Sequence, residues 1–571
     1  MDVDSKKYAG QLIRINLVLI LFGCLFVVLL VKTFSKQVMQ HDYYLTLADN
    51  QHLWQQEEEA RRGQIYDTNG YPMAANLSLP ALSVIPNQVD DPEYTAKKLS
   101  LILHLSRQEE MELEEAMSSK ALYMPPIKHK LTDEEVAEIK EYDLPGVILT
   151  PEDWRFYPEG TLAAQVLGYL DAENNGQYGI EGYFNDELMG SSGFVQSYKD
   201  LTGRDINDSQ QILSQVRQGL NLYLTIDRSV QYFVEEALKQ TVDNSRADSG
   251  SVVIIDPKTG KIIAMANYPT FDPNQYFAED NYDNFNNADV SKFWEPGSVF
   301  KVITMAGAVD MDLVTPETSQ YFEASVKVLD REIWNSERRA YGVETMTQVL
   351  ENSDNVGMVW VGQKLGKDNF YNYLYKFGFG EPTGVDLDNE SPGLVVDKSL
   401  VSEVDLATMA FGQGIAVTPI QMVTAVGAIA NDGQMMKPYI VDKIVTVDGK
   451  EVEVRPEYLR SVLNPKAAES VAAMMVSVVE NGHGKQAGVK GYYVAGKTGT
   501  AQVPVDGVYD PHKTIGSFVG FAPAFDPKFV MLVKIDVPKT SEWAESSAAP
   551  LFGEIAEFLL NYYQVPPDRE V

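Results

Sequence analysis

Hydrophobic and polar positions fall into distinct textures along the chain, and the first is the most lopsided. Residues 17–31 (LVLILFGCLFVVLLV) carry no charge and no strong hydrogen-bonding side chain. With Leu12 and Ile13 the apolar stretch reaches about 20 residues, which as a helix rises roughly 30 Å, enough to cross a bilayer. Residues 36–61 are polar and helix-compatible and end in the run EEEARR, which reads as a solvated face. RRGQIYDTNGYPMAAN, residues 61–76, predicts two short strands around an Asn-Gly turn. A mixed region follows to residue 215, with a Glu-rich helix over 107–118 and the Gly-rich GYLDAENNGQYGIEGYF; nothing in it reads as catalytic.

From Gly219 the texture changes. LNLYLTIDRSVQYFVEEALKQTV predicts a strand, an Asp227 cap and an amphipathic helix with Val230, Phe233, Val234, Ala237 and Leu238 on one face. SVVIIDPKTGKIIAMA reads as a hairpin with a Pro-Lys-Thr-Gly turn, residues 518–537 as strand, turn and strand, and GEIAEFLLNYY as a last helix. Strands at both ends with helices between them predict an α+β domain, an antiparallel sheet covered by helices.

The length of 571 residues exceeds one core and predicts two or three domains. Asp and Glu number 81 against 47 Lys and Arg, a net charge of −34, which excludes a polyanion such as nucleic acid as partner. The apolar run is too long for the core of a signal peptide, and no small-x-small site follows it, so it reads as an uncleaved anchor. Lys6, Lys7 and Arg14 precede it, and Lys32 and Lys36 follow, which favours a cytoplasmic N-terminus by a narrow count. Cys24, the one cysteine, lies inside the span, so neither disulfides nor a cysteine metal site serves the rest of the chain. The six histidines are scattered with no HExxH, and no metal site is expected.

The chemistry concentrates in three short motifs. In WEPGSVFKVITMAG, Ser298 precedes Lys301 by three residues at a helix start, so both side chains share one face about a turn apart. Lysine can take the serine proton if the helix N-terminus and a neighbouring cation lower its pKa. Ser298-x-x-Lys301 is the one S-x-x-K in the chain, and an ordinary helix start explains it equally well when it is taken alone. Ser353-Asp354-Asn355, the one S-x-N, lies between two helix-like segments, where a loop can bring a hydroxyl and an amide into a cleft. Lys497-Thr498-Gly499-Thr500 follows a β-type run and can line a strand edge facing that cleft. A second Lys-Thr-Gly, Lys258 to Gly260, precedes the serine and fills a hairpin turn. GYYVAGKT, residues 491–498, matches a phosphate-loop pattern, but no helix can follow through TGTAQVPVDG. No G-x-S-x-G elbow is present.

S-x-x-K, S-D-N and K-T-G in this order are the signature of the penicillin-recognising serine acyl-enzymes. The chain as a whole resembles a class B penicillin-binding protein, a monofunctional membrane-anchored peptidoglycan transpeptidase. The resemblance rests also on the 61–76 hairpin, WRFYPEGTLAAQVLGY, GIEGYFNDELMGSSG, FGFGEPTG, MAFGQGIAVTPIQ and AGKTGTAQ, while the ending SSAAPLFGEIAEFLLNYYQVPPD is similar to division-type members. It implies a cytoplasmic tail over 1–11, a transmembrane helix over 12–32, an elongated mixed α/β pedestal of dimerisation type over 33–216, and a transpeptidase domain with a five-stranded antiparallel sheet over 217–571. Neither C-terminal wall-binding repeats nor a preceding glycosyltransferase domain is expected.

The resemblance also assigns roles. Ser298 would attack the penultimate D-alanine carbonyl of a stem peptide ending in D-Ala-D-Ala, with Lys301 as general base, and the backbone N–H groups of Ser298 and Thr500 would form the oxyanion hole. Ser353 would relay a proton to the leaving amine, Asn355 would hold Lys301 and the donor amide, and Lys497 would supply positive potential. Thr498 and Thr500, with Gly499 between them, would receive the terminal carboxylate. No metal or organic cofactor is implied. The implied partners are donor and acceptor stem peptides, β-lactams as covalent inhibitors, a membrane glycan polymerase with division proteins, and the bilayer. The catalytic domain would stand outside the cell membrane, working in septal wall synthesis. An elongation-type transpeptidase, a β-lactamase or D,D-carboxypeptidase, and a non-catalytic penicillin-binding scaffold remain as alternatives. Asp354 reads as a helix cap, Trp294 as core or cleft wall, and Glu390 as a loop feature rather than a deacylating base. SEWAESSAAP departs from the family's glycine-rich pattern and leaves the shape of the acceptor side open.

Overall fold

The computed structural model describes residues 4–119, 121, 124–198, 211–336, 338–505, 508–541 and 543–570. The chain forms two compact units, residues 1–60 with 190–218, and residues 61–189 with 219–571.

In the first unit a helix over Asp4–Phe34 carries the apolar run, with Phe22 66% exposed and no protein packed on it. Among the described residues one helical stretch, Ala9–Met39, is long and apolar enough to cross a membrane. A further helix, His41–His52, follows, but the helical expectation for residues 36–61 fails beyond it. Leu53–Glu58 is a strand, paired antiparallel with Gly193–Tyr198 from Leu53↔Tyr198 to Glu58↔Gly193. Gln211–Ser214 completes this three-stranded sheet. The partner GFVQSY is a strong strand former from far along the chain, and its backbone ladder overrides the polar, helix-compatible pattern of LWQQEE.

In the second unit the 61–76 hairpin forms as expected, from Ile65–Tyr66 and Pro72–Val84, with Gly70 at φ +84° and Asp67 Oδ1 accepting from the backbone N–H groups of Asn69 and Tyr71 at 2.9 and 2.7 Å. The second strand runs on to pair with Val147–Phe156, and helices Pro92–Leu103, Arg107–Ser118 and Asp133–Tyr142 pack on that pair through Leu82, Val84, Leu99, Leu113 and Ile139. Arg62, the last residue of EEEARR, is not on a solvated face. Its side chain is 9% exposed and pairs at 2.7 Å with Glu181, which is fully buried and also bound by Arg155 at 2.6 Å. Arg155 donates in addition to the Gly63 carbonyl at 2.7 Å, so one buried carboxylate ties the hairpin, the strand Val147–Phe156 and the GIEGY turn together. Breaking such a pair strands a buried charge and costs about 3–5 kcal/mol.

The site is carried by a five-stranded antiparallel sheet in the order Ile262–Tyr268, Ser249–Ile255, Phe529–Asp536, Val508–Ala522, Ala495–Val505. Both faces are buried, so the central strand Phe529–Asp536 opens with the unbroken apolar run FVMLV rather than an alternating one. Met531, Val533 and Ile535 meet helices Arg228–Ser245 and Ala548–Tyr562, while Val530 and Leu532 belong to the core on the other face. Asp227 caps Arg228–Ser245 by accepting from Ser229 N and Val230 N at 2.9 and 3.2 Å. Val230, Val234 and Leu238 are fully buried, each contributing roughly 1.5–3 kcal/mol, and Phe233 stacks on Phe558 with ring centroids 3.9 Å apart. On the opposite face lie Lys301–Asp310, Asn355–Lys376, Pro419–Ala430 and Pro465–Asn481, which hold the site from behind.

Candidate active site

Ser298 sits in a tight turn, Gly297–Phe300, that runs directly into the buried helix Lys301–Asp310. Two glycines make the turn possible. Gly297 has φ +54° and donates its N–H to the Gly412 carbonyl at 3.0 Å, while a Cβ on Gly412, at φ +87°, would lie 2.1 Å from the Gly297 oxygen. Val299 and Phe300 point into the core at 0% and 1% exposure, which leaves Ser298 on the open side. Among the described residues its hydroxyl has no hydrogen-bond partner, and as second residue of the turn its backbone N–H stands outside the helical ladder.

Lys301 is fully buried, and its Nζ lies 2.6 Å from the Ser353 carbonyl oxygen, 2.8 Å from Asn355 Oδ1 and 3.1 Å from Ser353 Oγ. An ammonium would spend three N–H bonds on these three acceptors. A neutral amine has two, enough for the two carbonyl-type oxygens, and its lone pair is then free to accept a proton from a hydroxyl. Burial, then the charge of Lys497, push Lys301 well below the ordinary lysine range, and Asp354 opposes them.

Ser353 lies in the loop between helices Met346–Glu351 and Asn355–Lys376 in the left-handed conformation, φ +53°, uncommon for a residue with a side chain. Two caps hold the following helix. Asp354 accepts from Gly357 N at 2.8 Å, the cap role expected of it, and the buried Asn335 offers one Oδ1 to both Asn355 N and Val356 N at 2.9 and 3.1 Å. Asn335 is a residue that the sequence reading missed. It follows the strand Arg331–Trp334, and only a contact across 20 positions reveals it.

Lys497 is on Ala495–Val505, the edge strand of the sheet. It is fully buried, and its Nζ is 3.1 Å from Ser353 Oγ and 3.1 Å from the Thr498 carbonyl. Burial brings its pKa down to about 7, with Glu545 pulling the other way. Ser353 Oγ therefore lies 3.1 Å from each of two buried lysine nitrogens, and the three motifs meet at this one hydroxyl. A Cβ on Gly499 would stand 2.7 Å from Ser517 Oγ and 2.9 Å from Val299, so only glycine lets the edge strand lie against the Ser298 turn. Thr500 Oγ1 accepts from Ala544 N at 3.2 Å, which leaves its proton for an external acceptor. Ala544 belongs to SEWAESSAAP, so the segment that departs from the family pattern braces the strand. Its Glu545 pairs with His483 at 2.5 Å.

The other readings resolve as follows. Lys258-Thr259-Gly260 is a turn, with Gly260 N bonded to the Asp256 carbonyl at 2.8 Å and Lys258 paired with Asp526. Residues 491–498 lead into a strand rather than a helix, which removes the phosphate loop. Glu390 accepts from Thr383 N and Gly384 N at 2.6 and 2.9 Å and closes its own loop. Trp294, 4% exposed, is core. Among the described residues no group of three His, Cys, Asp or Glu side chains is placed to hold a metal.

Comparison with known proteins agrees with this geometry. Residues 250–557 match the family described as the penicillin binding protein transpeptidase domain, and residues 57–224 the penicillin-binding protein dimerisation domain. The chain is 37% identical over 519 residues to stage V sporulation protein D of Bacillus subtilis, covering 90% of this chain and 80% of that one. It is 30% identical over 589 residues to peptidoglycan D,D-transpeptidase FtsI of Buchnera aphidicola, covering 100% and 99%. Among solved structures it is similar to penicillin binding protein 3 of Mycobacterium tuberculosis complexed with aztreonam, with a TM-score of 0.72 and 29% identity over 90% of this chain and 98% of that one.

Proposed function

The chain belongs to the class B penicillin-binding proteins, the peptidoglycan D,D-transpeptidases with a dimerisation domain ahead of the transpeptidase domain, and from that premise we propose that Ser298 is its acylating nucleophile and Lys301 the base. The observation that carries this reading is the convergence of two buried lysines on Ser353 Oγ, each at 3.1 Å.

Neutral Lys301 takes the Ser298 proton as Oγ attacks the penultimate D-alanine carbonyl of the donor stem peptide. The N–H groups of Ser298 and Thr500 receive the oxyanion, where one donor is worth about 2.7–4 kcal/mol. As the C–N bond breaks, the proton passes through Ser353 to the leaving D-alanine nitrogen. Lys497, its pKa brought down by burial to about 7, supports that transfer. Thr498 and Thr500 hold the terminal carboxylate on either side of Gly499, and Asn355 holds the donor amide as well as Lys301. An acceptor amine then attacks the ester carbonyl and gives its proton to Lys301, which passes it to Ser298 Oγ as the C–O bond breaks and the crosslink forms.

β-Lactams acylate the same serine in this reading; the aztreonam complex of the Mycobacterium tuberculosis relative supports it. We take residues 33–216 as the pedestal and 217–571 as the catalytic domain, anchored by residues 12–32 with the N-terminus cytoplasmic and the remainder outside, beside a membrane glycan polymerase and the division proteins. The role is septal. The relative from Bacillus subtilis is named for sporulation, so a tagged copy is followed through vegetative division: a mid-cell band supports the septal role, and lateral staining or signal confined to sporulating cells sinks it. The chemical test is Ser298→Ala. Labelling by fluorescent penicillin is lost while the protein stays folded, and persistent labelling would remove the nucleophile assignment. Rapid release of the penicilloyl group by the wild type would favour the β-lactamase reading.

A further inference from the structure

Behind the Ser353 loop two carboxyl groups are buried against each other. Glu344, on the strand Gly342–Thr345, is 3% exposed, and Asp354, at the cap of Asn355–Lys376, is fully buried. One oxygen of each is accounted for, Glu344 Oε1 by Asn352 Nδ2 at 2.5 Å and Asp354 Oδ1 by Gly357 N at 2.8 Å. The other two, Glu344 Oε2 and Asp354 Oδ2, are buried without a donor among the described residues. Two adjoining carboxylates cannot both remain ionised away from water, whereas one proton between them satisfies both orphan oxygens.

Among the described residues no cation pairs with either orphan oxygen. Opposite Glu344 on the paired strand stands neutral Gln320. From helix Met346–Glu351, Glu351 adds negative charge, its carboxylate taken up by the Ser477 hydroxyl. His483 approaches only through its backbone N–H to the Glu351 carbonyl, and its ring pairs with Glu545. Lys301 faces Asp354 from the cleft side, and Lys497 lies beyond Ser353. Arg339 packs on Tyr341, whose hydroxyl donates to the Asn352 carbonyl.

We propose that Glu344 and Asp354 share one proton and that Glu344 is thereby a positioning residue for acylation: its protonated carboxyl steadies the Ser353 turn, and loss of that proton puts a second negative charge behind Lys301. The inference rests on Lys301 being the base, as proposed above. Burial, reinforced by Asp354, raises Glu344 to about 7, so the change falls within the working range of the enzyme. Below that pH the pair carries one negative charge. Above it the second charge stabilises the ammonium form of Lys301 and removes neutral amine just where the base should be gaining it.

The test measures the second-order rate of fluorescent penicillin acylation for the full-length protein in detergent between pH 6 and pH 8.5. Glu344→Gln keeps the shape and a donor toward Asp354 but has nothing to titrate. An added charge near a lysine shifts it by about one pH unit at the low end, so the ratio of variant to wild-type rate is expected to vary with pH, rising by up to about tenfold where Glu344 ionises while Lys301 still titrates. A ratio that stays constant, whatever its absolute value, overturns the proposal, since a purely structural defect scales the rate at every pH alike. Asp354→Asn caps the pair at one charge by the other route and is expected to show the same rise; it decides the matter if Glu344→Gln does not fold. A Lys301→Ala variant that labels at the wild-type rate overturns the base assignment itself, and is distinguished from failure of the shared proton because the ratio for Glu344→Gln is read with Lys301 in place.

Discussion

Replacing Asn335 with alanine tests whether the site depends on a residue that belongs to none of the three motifs. One buried Oδ1 accepts from Asn355 N at 2.9 Å and Val356 N at 3.1 Å, and Nδ2 donates to the Arg339 carbonyl at 3.0 Å. Alanine removes all three bonds and orphans two backbone N–H groups at the first turn of a buried helix. An unsatisfied buried donor costs about 1–3 kcal/mol, and the Asp354 cap on Gly357 N survives, so the expected loss is about 2–4 kcal/mol. Asn355, which holds Lys301 at 2.8 Å, loses the anchor of its own backbone, so acylation by fluorescent penicillin is expected to slow by about tenfold or more alongside a fall of several degrees in Tm. Asn335→Asp keeps the oxygen that accepts both N–H groups, and it is expected to recover most of the acylation rate while losing only the bond to Arg339. Wild-type rate and Tm in Asn335→Ala, or equal damage from both substitutions, would refute the reasoning.

Three further outcomes follow from the same geometry. Gly412→Ala drives a Cβ to 2.1 Å from the Gly297 oxygen at φ +87°, and is expected to lower both Tm and the acylation rate by displacing the Ser298 turn; a normal rate would show that the turn does not depend on this approach. Arg155→Ala leaves Glu181 with one of its two cations and is expected to cost about 3–5 kcal/mol, read as a lower Tm of the full chain, while protein that remains folded still labels; an unchanged Tm counts against the cluster as a structural tie. Acylation of the wild type is expected to fall as acid protonates Lys301, because the proposed base must be neutral and burial holds its pKa well below the ordinary lysine range. A rate that keeps climbing up to the ordinary lysine range in stopped-flow labelling would count against a neutral, buried Lys301 as the base.

What the sequence made legible was what depends on short spacing. Ser298 and Lys301 share a helix face because of a three-residue interval, the hairpin around Lys258-Thr259-Gly260 declares its own turn, and Asp227 and Asp354 cap the helices that follow them. An antiparallel sheet covered by helices could be expected from the strand-like runs at both ends of the domain, and its five strands from the family resemblance. The site lost to the sequence depends on meetings between distant segments: Gly297 against Gly412, Thr500 against Ala544, Asn335 against Asn355, Glu344 against Asp354. Two misreadings have the same origin. Leu53–Glu58 is a strand only because Gly193–Tyr198 pairs with it, and Arg62 is buried only because Glu181 waits 119 positions away.

The pairing of two lysines on one hydroxyl also bears on the different roles proposed for them. Both are fully buried and both lose their ordinary basicity to desolvation, so burial alone would make them interchangeable. Their neighbours separate them. Lys497 faces the carboxylate of Glu545, which raises its pKa, and Lys301 faces that of Asp354, while the repulsion between the two lysines acts on both and disfavours charging them together. In the proposed mechanism one proton on the pair rests on Lys497, and Lys301 keeps its lone pair. Ser353 Oγ, 3.1 Å from each, is where a proton can cross from one lysine to the other as the acyl-enzyme forms and breaks. Glu545→Gln is accordingly expected to lower the pKa of Lys497 and erode this asymmetry, shifting the pH profile of acylation without removing any group from the reacting centre. An unshifted profile in a folded Glu545→Gln variant would mean that the asymmetry is set elsewhere.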